Sequence, residues 1–312
     1  MQYRHIPVMV DEVLGYLNCQ PGRTCVDCTV GGAGHAMAII GKLLPDGLLI
    51  GIDQDKRAID AAAKALAPYK ENIHLFHDNF VNLSSILEKL NIREVDGILA
   101  DLGLSLFQLE ASGRGFSFQG DEPLDMRMNS DSGVTAAQIV NSNSADSLKH
   151  IFKAYGEEQW AGRIAGQIVK RRQSKRIETT GELVELVCAV IPQQVIRKRK
   201  IHPATKVFMA LRIAVNQELE RLEQFLTAAV DALRPGGRIC LLSFHSLEDR
   251  IVKHRFRALE NPCTCPPDFP ACVCGKTRRL RVLTRKVRRP GADEVEENPM
   301  ARSTCLRAAE KL

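Results

Sequence analysis

The chain reads as an α/β protein, a parallel sheet covered on both faces with an all-helical subdomain inserted into it, and three observations predict this. Short apolar runs alternate with helix-like segments through the first hundred residues. After about Leu106 the alternation stops, and only helical spacing follows. Near Val207 it resumes with a helix and one more buried strand. Apolar runs separated by helical patterns mark parallel strands hidden on both faces.

The first four strands fall at Arg23–Cys28, Leu48–Asp53, Ile73–His77 and Asp96–Asp101. Between the second and third, DKRAIDAAAKALAP is an Ala-rich helix that Pro68 stops, because proline has no amide hydrogen to continue the ladder. GRGFSFQGDEPLDMRMNSDSG, rich in Gly, Ser, Asp and Pro, reads as a long ordered loop. From Thr135 to about Ile201 the spacing is helical, for example around Leu148–Tyr155 and Gly181–Ile191. Leu211, Val215, Leu219, Leu222, Leu226, Val230 and Leu233 then recur every three or four residues, one face of a single long helix. Arg234-Pro235-Gly236-Gly237 stops it, and Arg238–Phe244 is a fifth buried strand. The core is therefore discontinuous, residues 1–106 and 207–312, with 107–206 as the insert.

The net charge is +6, but it is unevenly spread. The stretches Ala161–Lys206 and Lys276–Arg289 each carry +8, which leaves −10 for the rest of the chain. Two basic runs on an acidic body suit a polyanionic partner; solvated helix faces are the plain alternative. The N-terminal stretch has polar and acidic residues inside its apolar run, unlike a signal peptide, and no apolar run approaches the roughly 20 residues that cross a bilayer. No membrane association is expected, the cytoplasm is the expected address, and the ten cysteines are expected as thiols or metal ligands.

The first strand runs into Asp27-Cys28-Thr29-Val30-Gly31-Gly32-Ala33-Gly34-His35. Glycines between a strand and a helix let the backbone turn tightly and approach a ligand at the helix N-terminus. Asp53 closes the second strand, where a carboxylate accepts both hydroxyl protons of a ribose. Asp78-Asn79-Phe80 follows the third strand, where Phe80 offers a face to an adenine ring. Asp101-Leu102-Gly103-Leu104-Ser105 follows the fourth. In a doubly wound sheet such strand ends share one crevice. The nicotinamide fingerprint needs a third glycine where Met37 stands, and no Gly-Lys-Ser/Thr of a P-loop follows. Asp27, a relaxed glycine loop and Asp53 suit S-adenosylmethionine, which has no phosphate to cradle.

Over nearly its whole length the chain resembles the MraW family, the bacterial ribosomal RNA small-subunit methyltransferases H. The resemblance rests on HIPVMVDEVL, DCTVGGAGHA, LLIGIDQD, DGILADLGLS, GRGFSF, PLDMRM, AYGEE, HPATKVFMALRIAVN, PGGRICLLSFHSLEDRIVK and ENPMARSTCLR. It implies a Rossmann-like class I SAM-dependent methyltransferase core with an inserted all-helical subdomain for substrate recognition. It also implies methylation of the N4 amine of one cytidine in the decoding region of 16S rRNA, within the small ribosomal subunit and with no obligatory protein partner. The family's cofactor contacts fall on Ala33, Gly34, His35, Asp53, Phe80, Asp101 and Gln108. One departure is that Leu106-Phe107-Gln108 follows Ser105 where the family usually has Ser-Pro-Gln.

Asp101 is the leading candidate to anchor the cofactor's amino-acid portion and shape the transfer site, with Ser105 a second candidate to touch the amine. His245 is placed at the end of the fifth strand, where its plain reading is a backbone hydrogen bond. Arg199, Lys200 and His202 are candidate phosphate contacts. Cys263, Cys265, Cys272 and Cys274 form C-x-C-x6-C-x-C in a proline-containing loop; four thiols suit a tetrahedral ion, but this is not the spacing of a common zinc finger and the resemblance implies none, so no metal is assigned. Cys25 and Cys28 read as core residues. Two rival functions are a nicotinamide-dependent reductase, against which Met37 counts, and a non-catalytic RNA-binding assembly factor.

Overall fold

The computed structural model describes residues 7–110, 112–266, 271 and 273–312. It divides into two compact units, Met1–Gly103 with Leu219–Leu312, and Leu104–Glu218.

In the first unit, helix α1 (Val10–Leu17) precedes β1 (Thr24–Asp27), α2 (Gly34–Leu43), β2 (Leu48–Asp53), α3 (Lys56–Ala65), β3 (Ile73–His77), α4 (Leu83–Lys89) and β4 (Val95–Asp101). Neighbouring residues of one strand fall into different apolar clusters: Cys25 and Val26, Leu49 and Ile50, Ile98 and Leu99. Successive side chains of a strand point to opposite faces, so both faces of this sheet are buried. One face packs Leu83, Ile86 and Leu87 of α4, and the other Ile39, Ile40 and Leu43 of α2. Burying each such side chain contributes about 1.5–3 kcal/mol. The Asp55 carboxylate caps α3 by accepting the Arg57 amide at 3.1 Å.

The second unit holds α5 (Leu106–Glu110), α6 (Ala136–Ser142), α7 (Ala145–Ala154), α8 (Ala161–Arg172), α9 (Thr180–Val190), α10 (Gln193–Ile196) and α11 (Thr205–Asn216). Leu148, Phe152, Ile164, Ile168, Leu183, Val187 and Leu211 make its core. Capping boxes start α6 at Thr135 with Gln138 and α9 at Thr179 with Glu182. The Gly/Asp/Pro-rich segment before α6 is ordered by side chains. Arg114 Nη1 donates to the carbonyls of Arg127 (3.1 Å) and Met128 (3.0 Å). The buried Asn216 amide accepts from Met128 N–H and donates to Met126 O, both at 2.8 Å.

Glu158, whose side chain is wholly buried, accepts a two-pronged contact from Arg199 at 2.7 and 3.0 Å. Arg199 is therefore structural rather than a phosphate contact. His202, likewise, is stacked on Phe118 and accepts the Ala204 amide at 3.2 Å. Arg199→Met leaves a carboxylate without its partner and is expected to cost about 2 kcal/mol, part of the pair being reached by water; urea unfolding of the two proteins measures it.

After the insert come α12 (Glu218–Ala232), β5 (Leu233–Ser243), α13 (Ser246–Glu260), β6 (Leu280–Val282), α14 (Ala292–Glu297) and β7 (Cys305–Lys311). The sheet order is β3-β2-β1-β4-β5-β7-β6. β1 to β5 pair in parallel, whereas β7 runs antiparallel to both β5 and β6.

Three expectations change. The single long helix is two, α11 and α12, because Gln217 takes a left-handed conformation (φ 51°) between them. Leu211 and Val215 belong to the insert's core, and Leu222, Leu226 and Val230 to the sheet's. That shifts the insert from residues 107–206 to 104–218, with α11 inside it. The Arg234–Gly237 segment is not a separate stop: it is a bulge in β5, with the register slipping between Val95↔Leu233 and Gly97↔Arg238. Cys25 and Cys28 are buried, as a core role requires.

Candidate functional site

Strands β1, β2 and β4 each end on an aspartate: Asp27, Asp53 and Asp101. The chain leaves β1 toward β2 on one side and later places β4 on the other. This is the switch point at which open parallel sheets bind ligands.

The loop between β1 and α2 holds two left-handed residues, Gly31 (φ 49°) and Ala33 (φ 67°). Ala33, with a Cβ, occupies this region only under constraint, and it is fully buried at the start of α2. Gly34 is required for packing: a Cβ there would lie 2.9 Å from the Pro7 ring.

Asp53 is held in place by two amides, Gly31 N–H donating to Oδ2 at 2.9 Å and Asp55 N–H to Oδ1 at 2.8 Å. Burial nevertheless pushes its carboxyl up to about 6. Asp27 is the deepest of the three. Burial pushes it up to about 7, opposed by His35 and by the Thr29 amide, while Asp101 and Asp53 add repulsion. Among the described residues its Oδ2 accepts no hydrogen bond. Asp101 is fixed through its own backbone, its N–H donating to Thr29 Oγ1 at 2.6 Å. His35 Nδ1 lies 3.6 Å from Asp101 Oδ2, and its Nε2 is 2.8 Å from the Val8 carbonyl. Burial holds the His35 imidazole below its ordinary pKa. A neutral ring bonded to Val8 braces the site from behind.

The structure thus gathers Ala33, Gly34, His35, Asp53 and Asp101 into one unit. Phe80 follows β3 but is almost entirely buried, its ring 4.9 Å from that of Phe225. Asp78, rather than Phe80, is tied to the neighbouring strand end, through its amide to the Asp53 carbonyl at 3.0 Å. Ser105 and Gln108 belong to the other unit and cap each other at the start of α5: Ser105 N–H donates to Gln108 Oε1 (3.1 Å) and Gln108 N–H to Ser105 Oγ (3.2 Å). His245 caps α13, its Nδ1 accepting the Glu248 amide at 3.4 Å, in line with its plain reading. Asp27 is read from the sequence only as an acid leading the glycine loop, and Thr29 is a site residue that pattern reading does not select. The only signal for Thr29 is position, just after the end of a strand bordering the switch point.

Three strand ends bearing acids around a strained glycine loop suit a cationic nucleoside ligand, since buried carboxylates gain from a positive charge. The comparisons bear on the same point. The chain matches the profile of the MraW methylase family over residues 2–312. A protein of Desulforapulum autotrophicum named ribosomal RNA small subunit methyltransferase H is 55% identical over 309 residues, 99% of each chain. Its namesake in Desulfosudis oleivorans is 52% identical over 312 residues, the whole of both, and that of Symbiobacterium thermophilum 47% identical over all of this chain and 98% of its own. Among solved structures, an rRNA methylase from Streptococcus thermophilus aligns over 100% of this chain and 99% of its own with a TM-score of 0.40 at 13% identity, too remote to bear on function. Identity of this extent, end to end, leaves one assignment: the chain belongs to the MraW methylase family.

Proposed function

We propose that this protein transfers a methyl group from S-adenosylmethionine to the N4 amine of a cytidine in the decoding region of 16S rRNA, acting on the small ribosomal subunit in the cytoplasm. The observation that carries the reading is the convergence of Asp27, Asp53 and Asp101 at the switch point, beside the left-handed loop of Gly31 and Ala33.

The donor fits these residues. Asp27 is buried and its carboxyl is raised, as expected of a group awaiting a positive partner. When bound, S-adenosylmethionine supplies an electrophilic methyl on a sulfonium. Asp53, oriented by the Gly31 and Asp55 amides, keeps lone pairs for the ribose hydroxyls. Asp101, its backbone fixed by Thr29, holds the ammonium end and shapes the transfer site. Cytosine N4 is a poor nucleophile because its lone pair is delocalised into the ring. The protein's contribution is to hold that amine in line and keep water out. The base must be unpaired or flipped from its stack to be reached. Labelled methyl transfer to 30S particles, followed by nucleoside analysis, tests the whole reading. N4-methylcytidine at a single position supports it, and label in any other base or in protein overturns it.

The C-terminal basic run also has a structural setting. A cleft of about 870 Å³ lies beside α13 and β6, and Lys253, Arg257, Arg278 and Arg285 line it with Glu260 as counter-charge. Arg278 is paired with Glu260 at 2.9 Å, while Arg279 and Arg281 bind Asp231 and Glu310. Lys253, Arg257 and Arg285 make no ion pair among the described residues. They are the groups assigned to RNA phosphates. Changing all three to alanine is expected to flatten the log–log salt dependence of RNA binding by about 2 units and leave adenosylmethionine affinity unchanged. Filter binding across a salt series measures it; an unchanged slope removes the cleft from the RNA path.

A further inference from the structure

We infer that Cys263, Cys265 and Cys274 bind a zinc ion that ties down the long segment between α13 and β6. Spacing alone assigns no metal here, but three-dimensional placement does. The three sulfurs lie within 4.8 Å of one another, and all three residues are thiols. Three points with no separation beyond 4.8 Å share a centre within about 2.8 Å of each, against about 2.3 Å for a zinc–thiolate bond. Closing that difference needs side-chain rotation of about half an ångström per sulfur and no refolding of the backbone. Cys272 lies outside the described residues, and the assignment rests on the other three.

Two further observations point the same way. Val273 N–H donates to Cys265 Sγ at 3.4 Å, the kind of amide–sulfur bond that orients a metal thiolate from the second layer. The segment that carries them is irregular where it is described. It leaves α13 at Glu260 and rejoins the sheet at Leu280. Its stem is closed by Arg279 N–H to Leu259 O (2.9 Å) and Val282 N–H to Glu260 Oε1 (2.9 Å). Between these ends no described residue is in a helix or strand, and Val273 is 74% exposed. Among the described residues 261–279 none belongs to an apolar cluster, and a bound ion supplies a cross-link there, as it does in small metal-organised folds. Thiolates select soft ions, and three sulfurs with the fourth tetrahedral position left to solvent and no redox task suit Zn²⁺. Each thiol loses its proton to solvent as its sulfur binds, so three S–H bonds break and three Zn–S bonds form.

The test uses the full chain, free of any affinity tag, with zinc as the probe. After incubation with equimolar zinc and gel filtration, elemental analysis is expected to find about one zinc per chain. Cys263→Ser/Cys265→Ser is expected to lose it roughly tenfold, while Cys188→Ser keeps it. Should the double variant fail to fold, the unaltered chain decides independently. Cobalt(II) is expected to give thiolate-to-metal charge-transfer bands and the intense visible bands of a tetrahedral site. Alkylation of Cys263, Cys265 and Cys274, read by peptide mass spectrometry, is expected to speed up roughly tenfold on adding a chelator. Zinc below about one-tenth per chain, an octahedral cobalt spectrum, or alkylation indifferent to chelator each overturns the assignment.

Discussion

Asp101→Ala is expected to lower methyl transfer by roughly a thousandfold, with adenosylmethionine affinity falling only about tenfold. Asp101 ends β4, and its backbone is fixed by the N–H that donates to Thr29 Oγ1 at 2.6 Å. A group held by a residue that does no chemistry acts through its placement. Removing it leaves the donor seated by Asp53 but misaimed, and a misplacement of about 1 Å costs a hundredfold by itself. Single-turnover transfer to 30S particles reads the rate, and calorimetry reads the affinity. Turnover within a few-fold of normal removes Asp101 from the mechanism. Thr29→Val serves as a companion, expected to show a milder loss of rate with unchanged affinity, because it frees the Asp101 backbone without touching the donor.

Asp27→Asn is expected to move stability and affinity in opposite directions. In the folded protein burial raises the Asp27 carboxyl from 3.8 to about 7. The folded state therefore binds the proton more tightly than the unfolded one. Stability is greatest below pH 4, declines as pH rises through 7, and is flat above. The ionised carboxylate costs up to about 4 kcal/mol by this linkage, and an asparagine amide at Oδ2, which accepts no hydrogen bond among the described residues, returns about 1–3 kcal/mol of that as an unmet donor. Above pH 8 the variant should thus be more stable in the absence of ligand by roughly 1–3 kcal/mol, and the decline between pH 4 and 7 should shrink. His35, Asp53 and Asp101 face the same carboxylate, and Asp53, raised to about 6, adds a smaller decline of its own. Adenosylmethionine binding should weaken roughly tenfold to a hundredfold, because a buried negative charge is no longer there to meet a cation. Thermal melts from pH 5 to 9, with and without the ligand, carry both readings. A variant less stable than the parent at pH 8.5 contradicts the burial argument.

The five parallel strands were legible because LLIGID, DGILAD and RICLLS are continuous apolar runs, the pattern that only burial on both faces demands. The strands β6 and β7 were not. β6 has three residues, and CLRAAEK carries two alanines and three charges, so neither has the β-branched bulk that announces a strand. The break at Gln217 was hidden for a related reason. Apolar spacing records which residues are buried, and it runs unbroken through a residue whose φ reverses sign without being glycine. At the site, Asp53 and Asp101 could be picked out as the last residues of visible strands. Asp27 could be seen but not ranked, since its importance lies in depth. Gly34 stood out in the sequence as room for a ligand, and the structure adds a packing reason that the sequence does not show: Pro7 fills the space a Cβ would need. Arg199 was misjudged because a charge run does not reveal which member turns inward to meet Glu158.

The placement of β7 between β5 and β6 has a consequence for biosynthesis. β5 reaches β4 only after the whole insert has been translated, and its other edge stays open until residues 305–311 arrive. A nascent chain therefore exposes an unpaired strand edge until β7 is made, the condition under which sheets recruit wrong neighbours or holdase chaperones. Fragments halted before Cys305 should be found in aggregates or bound to chaperones, whereas the helical insert, whose apolar core closes within residues 104–218, has all its partners long before that point.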